Sequence, residues 1–185
     1  MGCPEGLAIA PDGIYLYVVT QCGAGEDPVF VIDTRTDTKV ETKTIPGLAV
    51  GSSIVIAPTG EKLYVARSGF YTRDSSTGRP LSVPDQVSVI NTKSNKVEAS
   101  HPMNAILFAT SPDGKYLIAG DGPRLNFIDT TTFLVVKTIQ FDATPAGVVV
   151  IRNKEKTGLL CYVWLPEENR LFFTSLTGVL PVSQN

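Results

Sequence analysis

Hydrophobic and polar positions alternate along this chain in short runs divided by turn residues. The first stretch, "GLAIAPDGIYLYVV" followed by "VFVIDTRTDTKVETKTI", contains four such runs. They predict strands at Gly6–Ala10, Tyr15–Val19, Val29–Asp33 and Lys39–Ile45. Each is strand length and rich in the β-branched and aromatic residues that suit a pleated surface. Pro11-Asp12-Gly13 joins the first two: Pro presets φ, Asp bonds back to the backbone, and Gly accepts positive φ. "DTRTDTK" joins the third and fourth, and its Asp33 and Thr34 suit Asx and ST turns. The unit reads as a four-stranded antiparallel meander. No helical period is present, which excludes α/β folds.

The unit recurs. "SSIVIAPTGEKLYVA" with "VSVINTKSNKVEAS" is a second copy, and "ILFATSPDGKYLIAG" with "LNFIDTTTFLVVKTI" is a third. The turn prolines Pro11, Pro58 and Pro112 lie 47 and then 54 residues apart. The unevenness arises between the second and third strands. That gap holds "QCGAGEDP" in copy one, "RSGFYTRDSSTGRPLSVPDQ" in copy two and "DGP" in copy three. A repeat of four strands at this spacing is the mark of a β-propeller blade, which cannot bury both its faces alone and stacks on others.

The same residues carry a resemblance. "PDGIYLYVV", "PTGEKLYVA", "VFVIDTRTDTKV" and "VSVINTKSNKV" resemble the YVTN-repeat family of β-propellers over about residues 4–141. Departures are Thr59 for the turn Asp, Gln21 and Ser68 near the usual Asn, and Ile118-Ala119 for Tyr-Val. The resemblance implies an all-β propeller and a ring that usually has seven blades. It also suggests an exported or cell-surface setting. Some proteins of similar repeat are lactonases or redox-cofactor propellers, so the resemblance implies a fold more than a role.

Residues 142–185 follow the pattern loosely. Strands are expected at Ala146–Arg152, Leu159–Trp164, Leu171–Ser175 and Val179–Val182. A second reading takes "LPEENRLFFTS" as the start of another repeat at Pro166. The expected organisation is one propeller domain over 1–185, with blades at about 4–46, 47–101, 102–141 and 142–185. Four blades leave three outcomes: a four-bladed ring, a half-ring completed by another copy or another chain, or a fragment of a longer protein. An open half-ring would expose apolar blade faces.

In a meander the connections alternate between ends. The "PDG" and "DTRTDTK" turns share one face, and the variable loops share the opposite face with "IPGLAVG" and "SHPMNA". Repetition marks scaffold, and its interruptions mark candidate function. The longest interruption, Arg67–Gln86, carries Arg67, Phe70, Tyr71, Arg73 and Arg79, residue types that anchor protein contacts. The same insert also reads as a solvated hairpin extension. His101, the lone histidine, is expected in a loop on that face.

Charge and composition narrow the classes. Sixteen basic and 18 acidic residues give a net charge of −2, and no basic run reaches four residues, which disfavours nucleic acid. No apolar run is long enough for a membrane span, and the N-terminal stretch has no signal-peptide pattern. The odd count of Cys3, Cys22 and Cys161 argues against a disulfide framework, leaving buried thiols or a Cys3–Cys22 bridge. The acids lack EF-hand spacing, "CGAGED" lacks the Lys of a phosphate loop, and no nucleophile elbow is present. No metal or cofactor is therefore expected. Trp164 and the tyrosines of "IYLYVV" and "KLYVA" read as blade packing. The expectation is a non-catalytic propeller scaffold that presents variable loops to a protein partner or assembles with itself. The rivals are a lactonase-type or redox-type propeller enzyme and a structural surface or filament repeat.

Overall fold

Three turns of near-identical geometry set the architecture. Gly13, Gly60 and Gly114 adopt φ of 74°, 76° and 72°. Each donates its N–H to a carbonyl three residues back, that of Ala10, Ala57 or Ser111, at 2.8 Å. A Cβ on Gly60 would meet Pro11 Cδ at 3.2 Å, so space as well as φ keeps that position glycine. Asp12 and Asp113 accept the N–H two residues on at 2.9 and 3.1 Å. Thr59 does the same at 3.4 Å, so the departure from Asp leaves a longer bond.

The computed structural model describes residues 3–20, 28–46, 51–67, 69–73, 76–155 and 158–176. It is an all-β fold of four antiparallel sheets of propeller-blade type. The first sheet orders β1 (Pro4–Ile9), β2 (Tyr15–Thr20), β3 (Phe30–Asp33) and β4 (Thr38–Lys39). The second is built from β5 (Gly51–Ile56), β6 (Lys62–Arg67), β9 (Gln86–Asn91) and β10 (Lys96–Pro102). Between β6 and β9 the chain makes a separate ribbon of β7 (Phe70–Arg73) and β8 (Pro80–Val83). The third orders β11 (Leu107–Thr110), β12 (Tyr116–Asp121), β13 (Arg124–Asp129) and β14 (Val135–Gln140). The fourth has β15 (Gly147–Arg152), β16 (Leu159–Leu165) and β17 (Arg170–Ser175). The strand expected at Val179–Val182 lies outside the described residues.

Two expectations change. The strand foreseen at Lys39–Ile45 is broken: β4 ends at Lys39, a 3-10 turn takes Glu41–Lys43, and pairing resumes only at the Val29–Ile45 bridge. The reading of "LPEENRLFFTS" as a new repeat also fails. Pro166–Glu168 form a 3-10 turn closed by Asn169 at φ 48°, and β17 pairs with β16 as the third strand of its sheet.

The sequence pattern "[DN]-T" after each third strand has a structural cause. Asp33, Asn91 and Asp129 each accept the N–H two residues on at 2.9 Å, as Asx turns do. The following threonine reaches across to the other turn. Thr34, Thr92 and Thr130 Oγ1 donate to the carbonyls of Gly13, Gly60 and Gly114 at 2.5, 2.6 and 2.8 Å. Each of the first three blades thus has its two short turns stapled together. Thr130→Val should cost about 1 kcal/mol, the net worth of one such bond, and shift the denaturant midpoint without changing its slope. An unchanged midpoint would show the staple to be idle. Four residues after each Asx position the backbone is left-handed, at Asp37, Asn95 and Phe133 (φ 53°, 54° and 57°). Phe133 lacks the short polar side chain that favours this conformation.

The chain forms two compact units, 1–105 and 106–185, each with its own core. In the first, Tyr17, Val19 and Val31 pack against Ile54, Leu63 and Val65 of the next sheet. Gly6 lets the sheets close, since a Cβ there would lie 3.1 Å from both Ile54 and Val19 methyls. In the second unit, Ile118, Leu125 and Phe127 meet Val150, Cys161 and Val163. Phe141 and Phe172 add an edge-to-face pair at 5.3 Å.

Cys3 is disulfide-bonded and Cys161 is a free, buried thiol. The expected Cys3–Cys22 pairing involves Cys22, which lies outside the described residues. A bridge therefore replaces the reading of Cys3 as a buried thiol.

Candidate functional site

The long insertion is a β-ribbon raised on the second sheet. Its strands pair Phe70 with Val83, Tyr71 with Ser82, Thr72 with Leu81 and Arg73 with Pro80. A period-two pattern was legible in this segment only in part, because Pro80 and Pro84 interrupt it. The ribbon's base is anchored. Gly69 N–H donates to Asp85 Oδ1 at 2.7 Å. Arg67 Nη2 donates to the Pro84 carbonyl at 3.0 Å and to Gln86 Oε1 at 3.1 Å. Arg67 Nε is buried without an acceptor. Arg67 thus props the ribbon rather than offering its charge outward.

The candidate residues separate into two groups. Arg73 and Arg79 sit at the outer part of the ribbon and are exposed. Arg73 Nη1 donates to the Gly78 carbonyl at 3.0 Å, across the tip. Arg67 and His101 sit at the base. His101 is not in a loop as expected: it lies within β10, opposite Val87, and is half-buried. The backbones of Phe70 and Tyr71 lie in β7, and their side chains are outside the described set. The loops "QCGAGEDP" and "IPGLAVG" also fall largely outside the described residues.

A second surface was not expected. On the face of short turns, between the first two sheets, runs an open groove of about 580 Å³. Tyr15, Tyr17, Asp12, Lys43, Glu61 and Lys93 are among its lining residues. The broken fourth strand creates it, because the 3-10 turn carries Lys43 to within 4.7 Å of the Tyr15 ring centre. Burial, then the Asp12 charge, push the Tyr17 phenol above its ordinary value. Lys93 and Glu61 pair at 3.6 Å. The lining carries charges of both signs, so it suits a hydrogen-bonding surface better than an anion or cation site. No sequence signal marked it, since each lining residue belongs to a stereotyped turn or strand.

Chemistry is sparse among the described residues. No group of three or more His, Cys, Asp or Glu is placed to hold a metal. No helix among them is long and apolar enough to cross a membrane. Burial pushes the Cys161 thiol up to about 12, so it stays protonated in the core. Asp33 is held down to about 2, first by the side-chain hydrogen bonds of Arg35 and then by the Arg35 N–H. A depressed carboxylate contributes stability above its unfolded value and loses it as pH falls through the folded one. The stability gap between wild type and Asp33→Asn should therefore be present at pH 7 and close between about pH 4 and pH 2. Urea midpoints across that range check it, and a pH-independent gap would contradict it. Asn keeps the Asx acceptor, as Asn91 does in the second sheet.

Solved structures similar to this chain include a β-propeller domain. The β-propeller domain of Myceliophteria thermophila Cps50 (Swd1) aligns at TM-score 0.57 and 15% identity over 87% of this chain and 48% of its own. U3-55K aligns at TM-score 0.64 and 11% identity over 94% of this chain and 52% of its own. Kuenenia stuttgartiensis hydrazine synthase aligns at TM-score 0.62 and 24% identity over 98% of this chain and 46% of its own. At these identities the likeness shows the fold. The chain spans about half the length of the structures it matches. No family model and no curated protein matches it.

Proposed function

We propose that this chain is a non-catalytic β-propeller scaffold of YVTN type that holds a protein partner through its variable connections. The observation that carries the reading is the β7–β8 ribbon. Among the described residues it interrupts the three-fold repeat with an anchored projection, and it exposes Arg73 and Arg79. Arginines on a rigid projection suit a protein contact. The four blades form one propeller domain completed by another copy or by a partner chain. The Cys3 disulfide favours an oxidising, exported setting.

The enzyme reading has less support. His101 pairs with Val87 and Arg67 with Gln86, adjacent positions of β9, so their side chains leave the sheet on opposite faces and do not converge on one site. The test is capture on the immobilised chain, compared with a variant lacking residues 71–80. Proteins held by the wild type should be lost by the deletion, with both chains melting alike. Identical captured sets would sink the ribbon as the recognition element.

A further inference from the structure

On the turn face of the first unit, the place where the repeat breaks is also where a groove opens. In the second and third sheets the outer strands β10 and β14 run seven and six residues, paired along β9 and β13. In the first sheet β4 stops after two residues and the Glu41–Lys43 turn follows. That turn brings Lys43 Nζ to 4.7 Å from the Tyr15 ring centre. Of the three copies, the first has tyrosine at both the first and the third position of its second strand, Tyr15 and Tyr17. The second has Lys62 and Tyr64 there, and the third has Tyr116 and Ile118.

The groove lies wholly within the unit 1–105, and its walls are fixed. Thr92 Oγ1 donates to the Gly60 carbonyl at 2.6 Å, tying together the two turns that form one side. On the other side Asp12 Oδ1 accepts the Ile14 N–H at 2.9 Å. Walls ordered before binding spare a ligand the cost of ordering them. The charges of Asp12 and Glu61 cancel those of Lys43 and Lys93, so an ion of either sign gains little there. Lys93 Nζ and Glu61 Oε1 stand 3.6 Å apart, too far for a direct hydrogen bond, and both side chains are mostly exposed. An apolar ligand would strip water from these groups and return no hydrogen bond. A peptide strand would take unpaired backbone along a sheet edge, whereas this groove is walled by turns and side chains.

We infer that this groove binds an uncharged saccharide. Each sugar hydroxyl donates one hydrogen bond and accepts others. Two vicinal hydroxyls fit the gap between Lys93 and Glu61, one accepting from the ammonium and the other donating to the carboxylate. Each charge then gains a hydrogen bond that the 3.6 Å pair does not give it, and neither is left unpaired. Lys43 and Asp12 supply a second donor and a second carboxylate along the same groove. The half-buried Tyr15 ring gives an aromatic wall for the sugar's C–H groups. The groove is separate from the β7–β8 ribbon. The two lie at opposite ends of β6, about 17 Å apart by strand rise.

Titration calorimetry of the purified chain against neutral tetrasaccharides (cello-, manno-, xylo- and chitotetraose) tests it. At least one should bind saturably at a single site. Glu61→Gln and, separately, Lys93→Met should each weaken that sugar by about tenfold or more, the worth of one charge-assisted hydrogen bond. Both side chains are exposed, so both variants should melt as the wild type does, and Lys43→Met is the alternate if either does not. Failure of every tetrasaccharide to bind at millimolar concentration overturns the inference. Binding that survives the groove variants overturns it as well, since the sugar then sits elsewhere. A preference for glucuronate-bearing or sulfated tetrasaccharides over neutral ones would make the groove an anion site and sink the neutral reading. If no sugar binds and the groove variants instead change the proteins captured on the immobilised chain, the groove is a protein contact and the inference fails. Deleting residues 71–80 should leave the sugar affinity unchanged, so failure of the ribbon as a recognition element reads separately from failure of the groove.

Discussion

Phe127→Ala should lower the unfolding free energy by about 3–5 kcal/mol. Phe127 is fully buried in β13, among Ile118, Leu125, Cys161 and Val163. It points from the third sheet toward the fourth, so truncation removes apolar area from both and leaves a cavity between them. Well-packed strands on either side cannot collapse to fill it without breaking backbone pairing. The measurement is urea unfolding followed by tryptophan fluorescence. Trp164, the lone tryptophan, lies in β16 of the same unit and reports that unit directly. A loss under 1 kcal/mol would mean that the two sheets repack freely and that Phe127 is not central to this core.

Leu63→Ala should cost about 2–5 kcal/mol in the other unit. Leu63 is fully buried in β6 and meets Val65, Ile90 and the first sheet's Tyr17 and Val19. Its counterparts Leu16 and Leu117 occupy the same place after the other two turn prolines. The two cores share no buried residue. The double variant Leu63→Ala/Phe127→Ala should therefore show losses that add to within about 0.5 kcal/mol. Measured coupling well beyond that would mean that the units are energetically one core. Circular dichroism complements fluorescence here, because Trp164 lies outside the unit that Leu63 supports.

Much of this was legible in the chain itself. The alternation over Tyr15–Val19 predicts a strand, and β2 spans Tyr15–Thr20. The strands the pattern predicts at Leu159–Trp164 and Leu171–Ser175 lie within one residue of β16 and β17. Strand length, β-branched content and Pro-Asp-Gly turns are local properties, so local sequence reports them. The break at Glu41–Lys43 was not legible, because "KVETKTI" alternates as a strand would. Taking "SHPMNA" as a connection between blades predicts a loop at His101, yet β10 runs through it to Pro102.

The sequence by itself determined the all-β class, the blade as the repeating unit, the Asx turns and the insertion as the main irregularity. Each follows from residues near one another in the chain. Tertiary structure decided what the repeated threonines do, since Thr34, Thr92 and Thr130 bond to carbonyls 16–32 residues away. It also decided which apolar residues are core. Leu7 and Ile54 occupy one motif position and alternate with their neighbours in the same way, yet one is exposed and the other buried. Alternation tells a strand which side each residue takes, but only the presence of a neighbouring sheet determines whether that side is covered.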